Sequence, residues 1–127
     1  MPRKARILIA DDDTALLSVL KLRFEQINAE VETAEDGYNA LAKSRTFRPD
    51  LLVLDVNMPA GDGFSVQERL DSIEGLERTQ VIYLTGDRSE RLDTLAYQLG
   101  AYEVFHKPCD MKLLQKAAIQ ALRARAA

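Results

Sequence analysis

Residues 6–13 read Arg-Ile-Leu-Ile-Ala-Asp-Asp-Asp, and residues 51–59 read Leu-Leu-Val-Leu-Asp-Val-Asn-Met-Pro. Each is a short aliphatic run that stops in acid, the pattern of a buried strand whose end emerges at the edge of a sheet. Glu30 to Ala34, Gln80 to Leu84 and Glu103 to Phe105 read as strands as well. The segments between carry apolar residues at helical spacing: Leu16, Leu17, Leu20, Phe24 and Ile27; then Tyr38, Leu41 and Ala42; then Phe64, Val66, Leu70 and Ile73; then Leu92, Leu95, Ala96 and Leu99; finally Met111, Leu114, Ala118 and Leu122. Helix boundaries agree, because Asp13 or Thr14, Asp36 with Gly37, and Asp110 suit helix starts, while Gly100 suits a helix end. The chain therefore repeats strand then helix five times.

Strands apolar on both faces and alternating with helices predict a parallel sheet covered on both sides, since each right-handed crossover lays its helix on one face. The expected architecture is an open five-stranded α/β sheet of order 2-1-3-4-5, doubly wound and flavodoxin-like, in which ligands bind beyond the carboxyl ends of the strands. At 127 residues, one domain over 1–127 is expected.

Hydrophobic residues at 46%, charged residues at 29%, 6 Gly and 4 Pro exclude a disordered or collagen-like chain. No apolar run approaches the roughly 20 residues of a membrane span, and the basic start, Met1 to Arg6, lacks the apolar stretch and cleavage site of an export signal. A single cysteine, Cys109, offers neither a disulfide nor metal-ligand spacing, so a reducing, cytoplasmic location is expected. With 17 Lys plus Arg against 20 Asp plus Glu, the net charge of −3 has the wrong sign for direct nucleic-acid binding, and the basic residues at the two ends read as solvated termini.

The strand ends carry the chemistry. Asp11, Asp12 and Asp13 follow the first strand, Asp55 the third, Thr85 the fourth, and Lys107 with Pro108 the fifth. In the expected order the first and third strands are neighbours, so two or three carboxylates share one rim. At roughly 6 Å and an effective dielectric near 20, one such pair costs on the order of 3 kcal/mol. A hard divalent cation relieves this, and a shallow oxygen-only site with room for water and phosphate suits Mg²⁺ better than Ca²⁺. Plainer roles stand beside these: Asp13 as a helix cap, Asp11 or Asp12 as a loop acid, Lys107 as a salt-bridge partner, Thr85 as an ordinary strand residue. Asp55 is the hardest to explain blandly, since an acid ending a buried strand is costly unless paired.

Four ordered motifs resemble the receiver domain of two-component response regulators: Ile7-Leu8-Ile9-Ala10-Asp11-Asp12-Asp13; Leu54-Asp55-Val56-Asn57-Met58-Pro59 with Asp62-Gly63; Leu84-Thr85-Gly86; and Gly100-Ala101 leading to Lys107-Pro108. The resemblance covers essentially the whole chain. It implies a phosphorylation-controlled switch in which Asp55 is the phosphoacceptor, Asp11 and Asp12 hold Mg²⁺ together with Asp55 and the backbone carbonyl of Asn57, and Thr85 and Lys107 sense the phosphoryl group. It implies a sensor histidine kinase or phosphotransfer protein as donor, and a downstream effector protein or domain reached through helix 4, strand 5 and helix 5. It further implies a phosphorylation-dependent homodimer as one form of output, and no catalysis beyond the protein's own phosphorylation and slow dephosphorylation. The chain is expected either to act alone or to have been cut from a longer one just after Arg123.

One departure stands out. Where the family usually carries an aromatic residue three positions before the lysine, this chain has Val104, flanked by Tyr102 and Phe105, both expected to be structural. His106, the sole histidine, reads as a strand residue rather than a ligand, and Cys109 as a small buried hydrophobe. Two other functions compete. A flavodoxin-like electron carrier is disfavoured because an acidic first loop repels a flavin phosphate. A Mg²⁺-dependent aspartyl phosphatase is disfavoured because the isolated acid follows the third strand rather than the first.

Overall fold

The computed structural model describes residues 3–126. Strands β1 (Ala5–Ala10), β2 (Ala29–Ala34), β3 (Leu51–Leu54), β4 (Gln80–Thr85) and β5 (Glu103–His106) alternate with helices α1 (Thr14–Glu25), α2 (Gly37–Phe47), α3 (Gly63–Leu70), α4 (Glu90–Gln98) and α5 (Met111–Ala126). The strands form one sheet of order β2-β1-β3-β4-β5, with every neighbouring pair parallel. This is the expected architecture, with β1 and β2 each beginning one residue earlier, at Ala5 and Ala29, and β4 and β5 each ending one residue later, at Thr85 and His106.

Alternation along the strands divides the interior into two layers. Leu8, Ala10, Leu52, Leu54, Val81 and Tyr83 pack with α2, α3 and α4. Ile7, Ile9, Leu51, Val53, Ile82 and Leu84 pack with α1 and α5. The central strands β1, β3 and β4 are buried on both faces, as expected, whereas the edge strands β2 and β5 are only partly covered. Three helical positions expected to be apolar contacts face water instead: Tyr38 and Ala42 on α2, and Leu95 on α4. The inward face of α2 consists of Gly37, Ala40, Leu41, Ser44 and Phe47, because the close approach of the chain at Gly37 sets the rotation of the helix. A Cβ at Gly37 would lie 1.9 Å from the Gly61 carbonyl oxygen. Tyr102, expected to be structural, lies exposed at the start of β5. Phe105 is partly buried among the α1 and α5 contacts, as is Cys109.

The starts of the helices follow the sequence. Asp13, Asp36 and Asp62 each accept a hydrogen bond from the backbone N–H three residues on, at 3.1, 2.7 and 2.9 Å. Asp110 caps α5 through the N–H groups of Lys112 and Leu113. Gly100 takes φ +99° after α4, a conformation that glycine adopts without a side-chain clash.

At the amino ends of the strands, Asp50 is 6% exposed and fully engaged. It accepts from both terminal nitrogens of Arg3 at 2.9 and 3.0 Å and from the Arg6 N–H at 2.9 Å, and it pairs with Arg125 of α5 at 3.2 Å. Burial alone raises the pKa of such a carboxyl, but the Arg3 bond, the Arg6 N–H and the Arg125 charge outweigh it and hold Asp50 below the ordinary carboxylate range. A carboxyl depressed in the folded state stabilises the fold above its unfolded value, near 3.9, and that contribution is lost as pH falls through its folded value. Asp50→Asn should therefore cost about 2 kcal/mol at neutral pH, and the gap to the native chain should close as pH falls below about 4, as read by urea denaturation.

Candidate functional site

The site lies at the carboxyl rim, where β1 and β3 run side by side. The Asp55 N–H donates to the Ala10 carbonyl at 2.9 Å, extending the β1–β3 pairing by one residue, and the Asp11 N–H donates to Ala34 of β2 at 3.1 Å. Both carboxylates are thus carried by sheet backbone rather than by loose loop, and both are buried, Asp11 at 2% and Asp55 at 7% exposure. Asp12 is exposed at the rim. One oxygen from each of Asp11, Asp12 and Asp55 lies within 4.8 Å of the others. Asp13 turns away to cap α1, its N–H donating to Asp11 Oδ1 at 2.9 Å.

Lys107 reaches into this group from the end of β5. Its Nζ lies 2.7 Å from Asp11 Oδ2 and 3.3 Å from Asp55 Oδ2. Burial opposes its charge, but the hydrogen bond to Asp11 and the charges of Asp11 and Asp55 more than offset this, and its pKa is raised. The Lys107 N–H donates to the Thr85 carbonyl at 2.8 Å, so β4 sets the height at which the lysine leaves the sheet. Burial first, then the charge of Asp11, push Asp55 above the ordinary carboxylate range despite Lys107 and a long contact of 3.4 Å from the Asn57 N–H. Two carboxylates sharing one ammonium, with that of Asp12 close beside them, form an under-neutralised, oxygen-only donor set that fits a hard divalent cation. At 4.8 Å and an effective dielectric near 20, each pair repels by about 3 kcal/mol before that neutralisation.

The structure thus brings Asp11, Asp12, Asp55 and Lys107 together, with Asn57 exposed two residues beyond Asp55. Thr85 is buried, and its hydroxyl oxygen faces the β4–α4 segment, accepting the Asp87 N–H at 3.1 Å. Val104 lies half-buried against the α4 side of the sheet, and its N–H donates to the Tyr97 hydroxyl of α4 at 3.2 Å. Sequence reasoning missed Tyr97 and Asp87, which no motif marks. It also missed why Gly63 follows Asp62: a Cβ there would lie 2.4 Å from the Asp55 carbonyl oxygen and 3.0 Å from the Tyr83 ring.

A carboxyl raised in the folded state weakens the fold as pH rises from its unfolded value through its folded one, because burial and Asp11 resist its ionisation. Asp55→Asn removes that cost. The variant should melt about 2–5 °C higher than the native chain at pH 7, and the two should converge below about pH 4, as read by thermal unfolding.

The family model of the response regulator receiver domain matches residues 7–119. A probable transcriptional regulator, ycf27, of Galdieria sulphuraria is 38% identical over 115 residues, covering 89% of this chain and 43% of that protein. The alkaline phosphatase synthesis transcriptional regulatory protein PhoP of Bacillus subtilis is 35% identical over 103 residues, covering 81% of this chain and 42% of its own length. The chain therefore spans less than half the length of these relatives. Among solved structures, a CheY-like response regulator receiver domain protein from Methanospirillum hungatei superposes with a TM-score of 0.90 at 27% identity over 98% of both chains. With the sheet order, the acid cluster on β1 and β3 and a family match over most of its length, this chain belongs to the receiver domains of two-component response regulators.

Proposed function

We propose that Asp55 is the phosphoacceptor of a Mg²⁺-dependent phosphorylation switch. The observation that carries this reading is the position of Asp55: an acid buried at the end of a core strand, held above the ordinary carboxylate range, and facing an ammonium already shared with Asp11. In the transfer, an Asp55 carboxylate oxygen forms a bond to phosphorus while the bond from phosphorus to the donor histidine nitrogen breaks, that nitrogen keeping the electron pair. Phosphoryl transfer asks little covalent work of a protein, so alignment and charge neutralisation carry the rate. Lys107 supplies one positive charge within reach of the Asp55 oxygen, and the Asn57 N–H lies on the other side of the carboxylate. Asp11, Asp12, Asp55 and the Asn57 carbonyl would hold Mg²⁺, which when bound would supply the further positive charge that the phosphoryl oxygens need. The product is an acyl phosphate that water attacks, so slow self-dephosphorylation at the same site ends the signal, and the chain transforms no other substrate.

The donor is a sensor histidine kinase or a phosphotransfer protein, in keeping with the family. Output runs from Thr85, whose hydroxyl reaches a phosphoryl oxygen on Asp55 as the β4–α4 segment shifts, to the surface of α4, β5 and α5. With Val104 at the usual ring position, that shift moves the β4–α4 segment rather than swinging a large side chain. The readers of this surface are a downstream effector protein or domain and, on phosphorylation, a second copy of the chain. One receiver domain over 1–127 acting in the cytoplasm accounts for the composition and the single cysteine. No helix among the described residues is long and apolar enough to cross a membrane.

Acetyl phosphate should phosphorylate the protein only with Mg²⁺ present, and Asp55→Asn should abolish the product; mass spectrometry placing the phosphoryl group on another residue would overturn the assignment. Lys107→Ala should retain phosphorylation, slowed by about 10-fold or more through loss of one neutralising charge, yet lose phosphorylation-dependent partner binding. Binding at native strength by phosphorylated Lys107→Ala would refute the role of the lysine.

A further inference from the structure

His106 is the sole histidine of the chain and stands immediately before Lys107. It shares the α4 face of β5 with Val104, and its register partner on β4 is Thr85. Its Nδ1 lies 2.9 Å from the Asp87 carbonyl oxygen and its Nε2 lies 2.9 Å from Asp93 Oδ2 of α4. Neither partner carries a hydrogen: a carbonyl oxygen and a carboxylate only accept. A neutral imidazole owns one N–H and can serve one of them, whereas the imidazolium owns two and serves both. Among the described residues the other oxygen of Asp93, Oδ1, is buried without a hydrogen-bond partner, so the bond to His106 through Oδ2 is the one that meets this carboxylate.

Charged groups of both signs surround the ring. From α4 it meets Asp93. From the β4–α4 segment it meets Asp87, whose carboxylate accepts the Ser89 N–H at 2.9 Å, and Arg88, whose guanidinium donates to the Lys107 carbonyl at 3.1 Å. From β5 itself its neighbour is Lys107, whose charge is turned away and shared between Asp11 and Asp55. From β4 it meets Thr85, which carries no charge.

Asp87 is gripped on both sides. Its N–H donates to the Thr85 hydroxyl oxygen and its carbonyl faces the His106 ring. Asp87 therefore links the Thr85 hydroxyl to the His106 ring, so that a movement of Thr85 toward Asp55 would pull on the contact between the Asp87 carbonyl and the ring. We propose that His106 is a proton-linked positioning residue: as imidazolium it pins Asp87 and Asp93, and so the β4–α4 segment and α4, in the resting arrangement, against the pull of a phosphoryl group on Asp55. Binding linkage is reciprocal, so the proton on His106 and the charge on Asp55 oppose each other to the same degree. The coupling rests on the phosphoacceptor reading of Asp55; the ring's hold on Asp93 does not.

Because the chain has one histidine, its ring Cε1–H NMR signal is unique. The test is to titrate that signal across the range where imidazole changes charge, with Mg²⁺ alone and with Mg²⁺ plus beryllofluoride, a stand-in for the phosphoryl group. The affinity of the ring for its proton should fall about fivefold or more when beryllofluoride is bound, the range of an ordinary coupling between sites. Equal or higher affinity in the beryllofluoride form would overturn the coupling. The amide signals of Asn57 and Gly86 report beryllofluoride binding independently, and their failure to move would overturn the phosphoacceptor reading and the coupling with it. In Asp93→Asn without beryllofluoride, the ring should also lose proton affinity by about fivefold or more. An unchanged titration there would overturn the role of His106 as a pin on α4. The same variant should bind beryllofluoride more tightly than the native chain near pH 6 and equally near pH 8.5, and parallel pH profiles would count against the proposal.

Discussion

Three carboxylates held at the carboxyl rim of a parallel sheet against one ammonium govern the rest of this molecule. Asp11 and Asp55 cannot retreat from each other, because each is fixed by a backbone hydrogen bond that continues the sheet. Lys107 answers both, but one charge cannot neutralise three, and Asp12 completes a group whose oxygens lie within 4.8 Å. The imbalance makes the rim receptive to added positive charge, and burial, together with the charge of Asp11, raises the pKa of Asp55. Such an unfinished balance favours an added cation, since a fully neutralised cluster would gain little from one.

The opposite end of the sheet shows the contrast. Asp50 is as buried as Asp55, yet it is met by the two terminal nitrogens of Arg3, the Arg6 N–H and Arg125, and it is held below the ordinary carboxylate range. Two buried acids in one small fold are thus driven in opposite directions by their surroundings. One joins the first strand, the start of β3 and the end of α5, and the other stands in an under-neutralised acid cluster. The two sit at opposite ends of the same strands, and in open α/β sheets ligands gather at the carboxyl rim.

The apolar contact of α4 with the sheet is narrow: Ala96 is its one buried residue, with Leu92 partly buried beside the cluster that Val104 also joins. Polar contacts add to this hold on β5: the Val104 N–H donates to the Tyr97 hydroxyl, and His106 bonds Asp93. Polar pins of this kind release at lower cost than a packed apolar face, because water replaces the lost hydrogen bonds. Through the Asp87 N–H on the Thr85 hydroxyl and the Asp87 carbonyl on the His106 ring, the same polar contacts connect α4 to the end of β4.

The order of elements, the sheet class and the places of Asp11, Asp12, Asp55, Thr85 and Lys107 at the strand ends were legible in the sequence because they depend on local patterns. Apolar runs of strand length, helical spacing, capping aspartates and an acid ending a buried run are properties of neighbouring residues. Contacts between segments far apart in the chain were not legible. The exposure of Tyr38, Ala42 and Leu95 follows from how α2 and α4 are rotated on the sheet, which close backbone approach at Gly37 and the single buried Ala96 decide. The bond of His106 to Asp93 and Asp87 joins residues 13 and 19 positions apart, and nothing in the run Glu103 to Lys107 distinguishes a bridging histidine from an ordinary strand residue. Local spacing therefore determined which groups reach the rim. Only the packing of helices on the sheet decided which of them share a charge, which remain unbalanced, and which pin α4, because electrostatic and hydrogen-bonding energies depend on distances of a few ångströms that chain separation does not encode.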